Sequence, residues 1–470
     1  MSSPRVPHSP AVLRPVVLHI SPDAERTLRF GHPWLYAQAI SKQSHAAPAG
    51  TLAAVYDKRE RLLAVGLYDP ASPIRVRVLQ RGKPAPINAA WFRDRIAKAV
   101  ALREPLIQSK TTTGYRLVHG ENDGLPGLVL DRYGEMLVMK LYTAAWAPHL
   151  PAALEALAGV VHVQDVMLRL SRGVQHTGAS FGLTDGMALA GRVPERPVTF
   201  REAGLTFEAD VLKGQKTGFF LDQRDNRAEL ARHTRGRRVL DVFAYTGGFS
   251  VAAARGGATE VTSLDASRPA LEAARRNVTL NIKERLVTRM RHQVMVGDAF
   301  VLLERLGARH ARYEVVVMDP PSFAKTRREI ERALAAYRQL TQLGLAVLNP
   351  GGMLMISCCS SQVGANEFYA AVHQAATRSG RVLRELARTG QPIDHPISFR
   401  EGAYLNSLFA VADMRKRPSG SRERRRASPA PRRKDVHRSL PLCGINAAPR
   451  SGLPFRFHSS LFVNTPARPF

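Results

Sequence analysis

The sequence contains little cysteine, and its cysteines do not form the pattern of a disulfide-bonded domain. Only Cys358, Cys359 and Cys443 occur among 470 residues. An odd and sparse set excludes a disulfide framework, and no Cys-x-x-Cys or His-x-His spacing indicates a zinc site. We therefore expect a protein of the reducing cytoplasm that binds no metal.

Long apolar runs are missing as well. No run approaches the roughly 18 residues that a membrane-spanning helix requires. The first 20 residues lack the apolar core and small-residue cleavage site of a signal peptide, so we expect neither secretion nor a membrane partner. With 44% hydrophobic and 23% charged residues, the composition is typical of a soluble globular protein and excludes a wholly disordered or collagen-like chain.

Acidic residues are scarce relative to basic ones. The chain has 39 Asp and Glu against 68 Lys and Arg, a net charge of +29. Residues 414–470 hold 14 basic and two acidic residues, a net +12, which leaves +17 on residues 1–413. Such an excess predicts a polyanionic partner, nucleic acid rather than a membrane surface, although a generally arginine-rich proteome would also produce it.

The composition and periodicity of the chain change at four places. We predict a flexible N-terminus at 1–15, a small β-barrel module at 16–92, an α+β connecting domain at 93–186, an α/β domain at 187–413 and a basic disordered tail at 414–470. From 187 onward, strands alternate with helices, which predicts a doubly wound parallel sheet. Ligands of such sheets bind beyond the carboxyl ends of the strands.

Short apolar runs define most elements. In the first module, four β-type runs are separated by Gly, Pro and Asp: Val16–Ile20, Thr51–Tyr56, Leu62–Leu67 and Ile74–Leu79. In the connecting domain, Trp91–Leu106 and Ala147–Ala158 are predicted to be helices.

The first strand of the α/β domain leads into a glycine turn, DVFAYTGGFS, at 241–250. Gly247 and Gly248 let the backbone approach a ligand closely, although the phosphate-binding G-x-G-x-x-G pattern is incomplete. Asp265 ends the next strand, where an acid can accept hydrogen bonds from ribose hydroxyls; a helix N-cap is the structural alternative. Asp298 ends a third strand, where it can meet an adenine amino group. This set favours S-adenosylmethionine over NAD, because no phosphate needs to be held.

The fourth and fifth strands end in groups suited to cytosine chemistry. Asp319 begins the turn Asp-Pro-Pro-Ser-Phe, from which its carboxylate can accept a hydrogen bond from cytosine N4. Ser322 stands where enzymes that methylate exocyclic amines usually carry an aromatic residue, which weakens that interpretation. Cys358 and Cys359 end the fifth strand, and such cysteines are often simply small buried residues. A thiolate that adds to C6, however, would make the weakly nucleophilic C5 of cytosine reactive.

The sequence resembles the RlmI-type large-subunit rRNA cytosine-C5 methyltransferases over about residues 16–412. The matching stretches are GHPWLYAQAI, RLVHGENDGLPGLVLDRYG, KGQKTGFFLDQRDNR, DVFAYTGGFS, VMDPPSFAK, SCCSS and DHPISFREGAYL. The resemblance implies an N-terminal RNA-binding PUA domain at 16–92, the connecting domain, and a Rossmann-like class I methyltransferase domain at 187–413. It implies S-adenosylmethionine as cofactor and 23S rRNA as partner.

The resemblance also assigns residues. Cys359, followed by Ser360 and a second small residue, matches the family's catalytic cysteine, with Cys358 as its packed neighbour. Asp319, placed by its turn to meet cytosine N4, is predicted as a second catalytic group. The segment 213–227 matches an element that lies over the cofactor. The glycine turn, the acidic strand ends and the family resemblance together predict these cofactor-binding residues: Lys216, Thr217, Phe219, Gln223, Arg224, Asp241, Tyr245, Thr246, Gly247, Gly248, Asp265, Asp298 and Asp319. The doubled cysteine is not universal in the family, and the tail beyond 413 has no counterpart.

Alternatives remain at this stage. A guanine-directed rRNA methyltransferase could use the same scaffold without a thiol, and Cys359 argues against it. A non-catalytic RNA-binding protein could also retain the scaffold, but the joint presence of Asp265, Asp298, Asp319 and Cys359 argues against a decayed site. Arg75, Arg77 and Arg81 are RNA-contact candidates, although arginine on a strand is usually only solvent-exposed. A second copy of the chain, forming a homodimer, is among the expected partners, but no sequence pattern determines the oligomeric state.

Overall fold

The structure, a computed structural model, describes residues 14–162 and 164–415. Most of the predicted flexible N-terminus and tail, including Cys443, lies outside these residues. The last strand reaches Met414, and the Arg415 amide donates to the Gly380 carbonyl. The first two residues assigned to the tail therefore belong to the folded sheet. Within the described ranges, no helix is long and apolar enough to cross a membrane.

The N-terminal module is a six-stranded mixed sheet with one helix. Its strands are β1 Val16–Ile20, β2 Trp34–Tyr36, β3 Ile40–Gln43, β4 Leu52–Tyr56, β5 Leu62–Tyr68 and β6 Ile74–Arg81, in the order β2-β6-β5-β4-β1-β3, with helix α1 at Pro22–Arg29. The four predicted strands are confirmed. The helix and the two short strands were not predicted from the sequence, although Ser21 caps α1 and Pro22 occupies its first turn.

The face of β6 does not present the expected row of arginines. Arg77 is 6% exposed, and its Nη1 donates to Glu121 Oε1 at 2.8 Å. Glu121 also accepts a hydrogen bond from Trp34 Nε1, at 2.8 Å. The interpretation of Arg77 as an RNA contact is therefore wrong, because the side chain joins this module to the next part of the chain.

The middle of the chain forms a second sheet flanked by helices. The strands are β7 Gly114–His119, β8 Leu128–Tyr133, β9 Met136–Leu141, β10 Asp165–Leu170 and β11 Ala188–Ala190, in the order β11-β10-β9-β8-β7; the helices are α2 Ala89–Leu102, α3 Glu104–Ile107, α4 Leu150–Ala158 and α5 Arg172–Ala179. Trp146 and Phe92 are fully buried in its core.

The helix predicted over Trp91–Leu106 is divided in two at Arg103. Pro105 lacks the amide hydrogen that would continue the α2 hydrogen-bond pattern. The break lets the Arg103 guanidinium, which is 0% exposed, turn inward to Asp123 with contacts of 2.9 and 2.7 Å. The second predicted helix begins later than expected, since Ala144–His149 forms a 3-10 turn before α4.

A hairpin connects the second sheet to the third. Strands β12 Val198–Glu202 and β13 Leu205–Ala209 pair in antiparallel register. Ala203 and Gly204, between them, both have positive φ, 49° and 83°. This is the geometry of the two-residue turns that match the twist of a hairpin. Phe200 and Phe207 of the hairpin stack on each other at 5.7 Å and contribute to a buried cluster.

The C-terminal part is a seven-stranded sheet with helices on both sides. Its strands are β14 Arg238–Val242, β15 Glu260–Asp265, β16 Arg291–Val296, β17 Tyr313–Met318, β18 Leu348–Cys359, β19 Arg381–Thr389 and β20 Leu405–Met414, in the order β16-β15-β14-β17-β18-β20-β19. Its helices are α6 Arg224–Ala231, α7 Gly248–Arg255, α8 Arg268–Leu280, α9 Arg285–Arg289, α10 Ala299–Ala308, α11 Ile330–Val347 and α12 Ala365–Arg378.

Strands β14 to β18 are parallel, as predicted, but β20 runs antiparallel to both β18 and β19. The sheet is therefore mixed rather than wholly parallel. The strand order reverses between β14 and β17, so their carboxyl ends form the crevice in which ligands of such sheets bind.

The loop at residues 390–404 fixes the middle part of the chain to the C-terminal part through Asp394. This side chain is 0% exposed and accepts two hydrogen bonds from the Arg224 guanidinium, at 3.0 and 2.8 Å. The Asp394 side chain also accepts a hydrogen bond from the Arg116 backbone amide at 2.9 Å. The backbone carbonyl of Asp394 accepts from Arg103 Nη2 at 2.8 Å. Although burial alone would raise it, the pKa of Asp394 is held well below its usual range by His395 and Arg224.

We predict that Asp394→Asn lowers the free energy of unfolding by about 3–5 kcal/mol, because it leaves the buried Arg224 guanidinium without its counter-charge. Denaturant titration of the full-length chain measures this. Asp413→Asn is the matched control: its side chain is 53% exposed and 4.0 Å from Arg384, so the loss there should stay below about 1 kcal/mol. Equal losses in the two variants would show that Asp394 does not hold the fold together.

Candidate active site

The predicted site residues that follow strands lie at one edge of the third sheet. Asp265 ends β15, Asp319 follows β17 and Cys359 ends β18, while the glycine turn follows β14. Because these four strands are parallel neighbours, their carboxyl ends are adjacent.

The turn after β14 has an unusual backbone. Phe243, Tyr245 and Gly247 have φ values of 64°, 47° and 76°, and the two non-glycine residues are strained in this region. Asp265 Oδ2 stabilises the turn by accepting the Tyr245 amide at 2.9 Å. Strain held in place by the surrounding structure is typical of a ligand-binding turn.

Asp265 is not the N-cap of the helix that follows it. Its Oδ1 accepts the Ser267 amide at 2.8 Å, and Ser267 itself caps α8 through the Ala270 amide. The helix-cap alternative for Asp265 is therefore wrong. Asp298 does cap a helix: it is exposed, and its Oδ1 accepts the Val301 amide of α10 at 3.1 Å. Its predicted adenine contact stays a prediction.

Asp241 presents an unsatisfied oxygen to the crevice. Its Oδ2 accepts from Ser250 Oγ at 2.6 Å. Its Oδ1 is buried without a hydrogen-bond partner among residues 14–162 and 164–415, and so is Thr246 Oγ1. Burial raises the pKa of Asp241 to about 7, against the hydrogen bond from Ser250 that lowers it.

These open acceptors fit the predicted cofactor. Buried polar atoms without partners are rare and need an explanation. The amino and hydroxyl groups of S-adenosylmethionine are donors of the kind that Asp241, Thr246 and Asp265 can accept from. The residues present in this crevice are thus compatible with the group that the sequence predicts.

Several predicted cofactor residues of the segment 213–227 have partners inside the protein. Thr217 is 1% exposed, and its Oγ1 donates to Asp131 Oδ2 at 2.5 Å. Phe219 is 3% exposed and packs against Phe200, and Arg224 binds Asp394 as described above. These contacts explain how the segment is held against the second sheet, and a cofactor contact of the three residues stays a prediction.

Lys216 forms an ion pair at the same edge. Its Nζ lies 2.5 Å from Asp222 Oδ2, which also accepts from Tyr404 OH at 2.8 Å. Asp222 is 3% exposed. Burial alone would raise the pKa of Asp222, but the Lys216 ammonium holds that pKa below its usual range.

The two adjacent cysteines differ in environment because successive side chains of a strand point to opposite faces. Cys358 is 0% exposed and belongs to the buried cluster between the sheet and α11 and α12. Cys359 is partly exposed, and its Sγ lies 3.5 Å from Asp319 Oδ1. Burial and the carboxylate of Asp222 raise the pKa of Asp319 to about 6.

The Cys359 thiol is neutral in this environment. Burial and the carboxylates of Asp319 and Asp222 raise its pKa well above the ordinary value, and Lys216 opposes them. The thiol therefore keeps its proton and donates it in a hydrogen bond to Asp319, whose own pKa is about 6. Such a pair can carry out acid–base and nucleophilic chemistry.

Sequence reasoning missed the residues that complete this site. Asp222, Tyr404 and Asp394 were not singled out, although each stands in a stretch that carries the family resemblance. Gln223 has its Nε2 3.5 Å from Ser357 Oγ, two residues before Cys359, and its predicted cofactor contact stays a prediction.

Comparisons with known proteins identify two domains of the chain. A family model described as S-adenosylmethionine-dependent methyltransferase matches residues 188–403, and one described as PUA-like domain matches residues 18–81. The predicted fold class, a Rossmann-like methyltransferase domain preceded by a PUA-like domain, is confirmed, and S-adenosylmethionine is the cofactor.

Curated relatives extend over most of the chain. A protein of Deinococcus radiodurans named ribosomal RNA large subunit methyltransferase is 47% identical over 84% of this chain and 97% of its own length. Two other relatives are named ribosomal RNA large subunit methyltransferase I. The protein of Photobacterium profundum is 36% identical over 82% of this chain and 96% of its own length. The protein of Escherichia coli O139:H28 is 33% identical over 84% of this chain and 98% of its own length.

Two solved structures share the fold at 22% sequence identity, each over 84% of this chain and 99% of its own. One was crystallised with SAH and has a TM-score of 0.72; the other comes from Streptococcus mutans and has a TM-score of 0.70.

The raised pKa of Asp241 predicts a trade between stability and cofactor binding. The folded protein binds a proton at Asp241 between about pH 4 and 7 that the unfolded chain does not, so this group's contribution to stability falls as pH rises through that range. Asp241→Asn cannot ionise. We expect it to melt at a higher temperature than the wild type at about pH 8, with a smaller difference at about pH 5.

The same variant should bind S-adenosylhomocysteine more weakly, because it has lost a carboxylate acceptor. Thermal unfolding at both pH values and calorimetric titration measure the two effects. Asp413→Asn, at a half-exposed position, should change neither. A stability difference that is equal at both pH values, or wild-type affinity for S-adenosylhomocysteine, would contradict this role of Asp241.

Proposed function

The chain belongs to the S-adenosylmethionine-dependent ribosomal RNA large subunit methyltransferases, and from this premise we propose that it forms 5-methylcytosine in 23S rRNA with Cys359 as covalent nucleophile. The observation that carries the proposal is the thiol–carboxyl pair, with Cys359 Sγ 3.5 Å from Asp319 Oδ1 at the carboxyl edge of the sheet. Methylation of guanine needs no thiol at this position, and a non-catalytic RNA-binding protein needs neither group.

The proposed reaction starts with addition of the Cys359 sulfur to C6 of cytosine. The thiol proton goes to Asp319, and the S–C6 bond forms as the electrons of the C5=C6 bond move to form C5=C4. The electrons of C4=N3 move to N3, which takes a proton that the Asp319 carboxyl group supplies. A carboxyl group with a pKa of about 6 is suited to both transfers near neutral pH.

S-adenosylmethionine supplies an electrophilic methyl group, which the activated C5 accepts. Loss of the C5 proton to a base then restores the C5=C6 bond and expels the Cys359 sulfur, and N3 gives up its proton. Asp241, Asp265 and the turn at 243–247 are proposed to hold the cofactor's polar groups. Asp298 is proposed to meet the adenine, and Val296 and Val301, 40% and 39% exposed, offer an apolar surface near it.

The RNA partner is proposed from charge and from the PUA-like module. Residues 1–413 carry a net +17, which favours attraction to phosphate at any RNA sequence. Phe30 is 86% exposed on the PUA-like module, and exposed aromatic rings stack on unpaired bases. Because the substrate is ribosomal RNA, we place the reaction in the cytoplasm.

We predict that Cys359→Ser abolishes methyl transfer, because a serine hydroxyl is far less acidic than a thiol and forms a poor nucleophile. Cys358→Ser, the neighbouring control at a buried packing position, should retain most activity. Transfer of labelled methyl groups to large-subunit rRNA measures both. Binding of S-adenosylhomocysteine, followed by calorimetry, should stay near the wild-type value in each variant.

An RNA with 5-fluorocytosine at the target position provides a second readout. Fluorine at C5 cannot leave as a proton, so the covalent adduct should persist and be seen by mass spectrometry at residue 359. Equal loss of activity in both cysteine variants, or an adduct at another residue, would overturn the assignment of Cys359.

A further inference from the structure

We infer that Lys216 is the counter-ion of the Cys359 thiolate, held in position by Asp222 and Tyr404. It was predicted from sequence as a cofactor-binding residue, and its position assigns it this other task. The inference deepens the proposed function and rests on it, because a thiolate matters only if Cys359 reacts.

The first observation is that the Lys216 ammonium is held from several sides. It lies 2.5 Å from Asp222 Oδ2, 4.6 Å from the centre of the Phe220 ring and 5.7 Å from the centre of the Tyr404 ring. Lys140 Nζ donates to the Lys216 carbonyl at 2.8 Å, and Lys216 has a φ of 53°. A non-glycine residue is strained in this region, so the surrounding contacts hold the segment in place.

The second observation places this group beside the catalytic cysteine. In the antiparallel ladder of β18 and β20, Cys359 is paired with Leu405, which makes Tyr404 a neighbour of the cysteine across the strands. On the other side, Gln223, which follows Asp222 directly, reaches Ser357 in β18. Two separate backbone segments thus bring Asp222 and its partners to the strand end that carries Cys359.

The third observation is the balance of charge around the sulfur. The titratable groups around Cys359 are Asp319, Asp222, Lys216 and Tyr404, together with Cys358 and Tyr337, which lie in the buried cluster on the other face of the sheet. Two of them are carboxyl groups, and a thiolate beside two carboxylates is unfavourable. Lys216 is the cation of this set. Asp222 raises the pKa of Lys216 against the effect of burial, which keeps the ammonium protonated.

The Asp222 carboxylate therefore acts through Lys216. It fixes the ammonium with Oδ2, while its Oδ1 is buried and has no hydrogen-bond partner in the described part of the chain. Tyr404 donates its hydroxyl hydrogen to Asp222 and so completes the group. Asp222 and Tyr404 are positioning residues, and Lys216 supplies the charge that favours the thiolate when the sulfur gives up its proton.

The test is the alkylation rate of Cys359 by iodoacetamide in the full-length protein, without cofactor or RNA. Tandem mass spectrometry separates residue 359 from residue 358. The rate at about pH 8.5 follows the thiolate fraction. We expect Lys216→Met and Lys216→Gln to react at least about tenfold more slowly than the wild type, and Lys216→Arg within about threefold of it, because arginine keeps the charge.

Lys98→Met is the matched control, since it removes the same charge from an exposed lysine on α2 with a side chain 65% exposed; its rate should equal that of the wild type. Wild-type rates in both neutral Lys216 variants, or equal slowing in those and Lys216→Arg, would overturn the inference. So would a loss confined to S-adenosylhomocysteine affinity, which would make Lys216 a cofactor ligand.

Alkylation needs neither cofactor nor RNA, so the two proposals can fail separately. If the reaction product is not 5-methylcytosine but Lys216 still controls the alkylation rate, the proposed function fails, and Lys216 remains the counter-ion of the Cys359 thiolate. If Cys359→Ser abolishes transfer but Lys216 has no effect on the alkylation rate, the function stands and this inference fails.

Discussion

The whole arrangement depends on one buried carboxylate, Asp394, and on the Arg224 guanidinium that neutralises it. A carboxylate that is 0% exposed is tolerated only when it is paired and hydrogen-bonded. The Asp394 carboxylate accepts from the Arg224 guanidinium in the methyltransferase domain and from the Arg116 backbone amide in the connecting domain. Its backbone carbonyl accepts from Arg103, also in the connecting domain. The pairing thus fixes the segment 213–227 and the 390–404 loop at once, and these carry Asp222 and Tyr404 to the reactive cysteine.

Buried carboxyl groups that are paired with a cation differ in role from those that are not. Buried ion pairs hold structure in place, among them Arg103–Asp123, Arg116–Asp131, Arg224–Asp394 and Arg227–Glu202. Asp319 and Asp241, by contrast, have a thiol and a serine hydroxyl as partners. Burial raises the pKa of both toward neutrality, so these two carboxyl groups can exchange protons or accept ligand donors at physiological pH.

Local sequence patterns were sufficient for much of the fold. Apolar runs that end in Gly, Asp or Cys located the parallel strands, and the rule that ligands bind at their carboxyl ends predicted which residues share one edge. The same patterns could not reveal Asp394 or the contact between Asp222 and Tyr404, because the partners are remote in sequence. Asp394 is 170 residues from Arg224, 278 from Arg116 and 291 from Arg103, and Tyr404 is 182 residues from Asp222. Arg77 was predicted to be exposed because it alternates with apolar residues along a strand. The strand pattern could not show that Glu121, 44 residues further along the chain, covers and pairs with it.

The most direct test of the account is the identity of the methylated nucleoside. Large-subunit rRNA from a strain that lacks this gene would be incubated with the full-length protein and isotope-labelled S-adenosylmethionine, digested, and analysed by mass spectrometry. The account predicts that the label is found in 5-methylcytidine at a defined position, and that Cys359→Ser produces none. Label in a methylated guanosine, or on the exocyclic nitrogen of cytidine, would contradict it, because neither product requires a thiol beside Asp319.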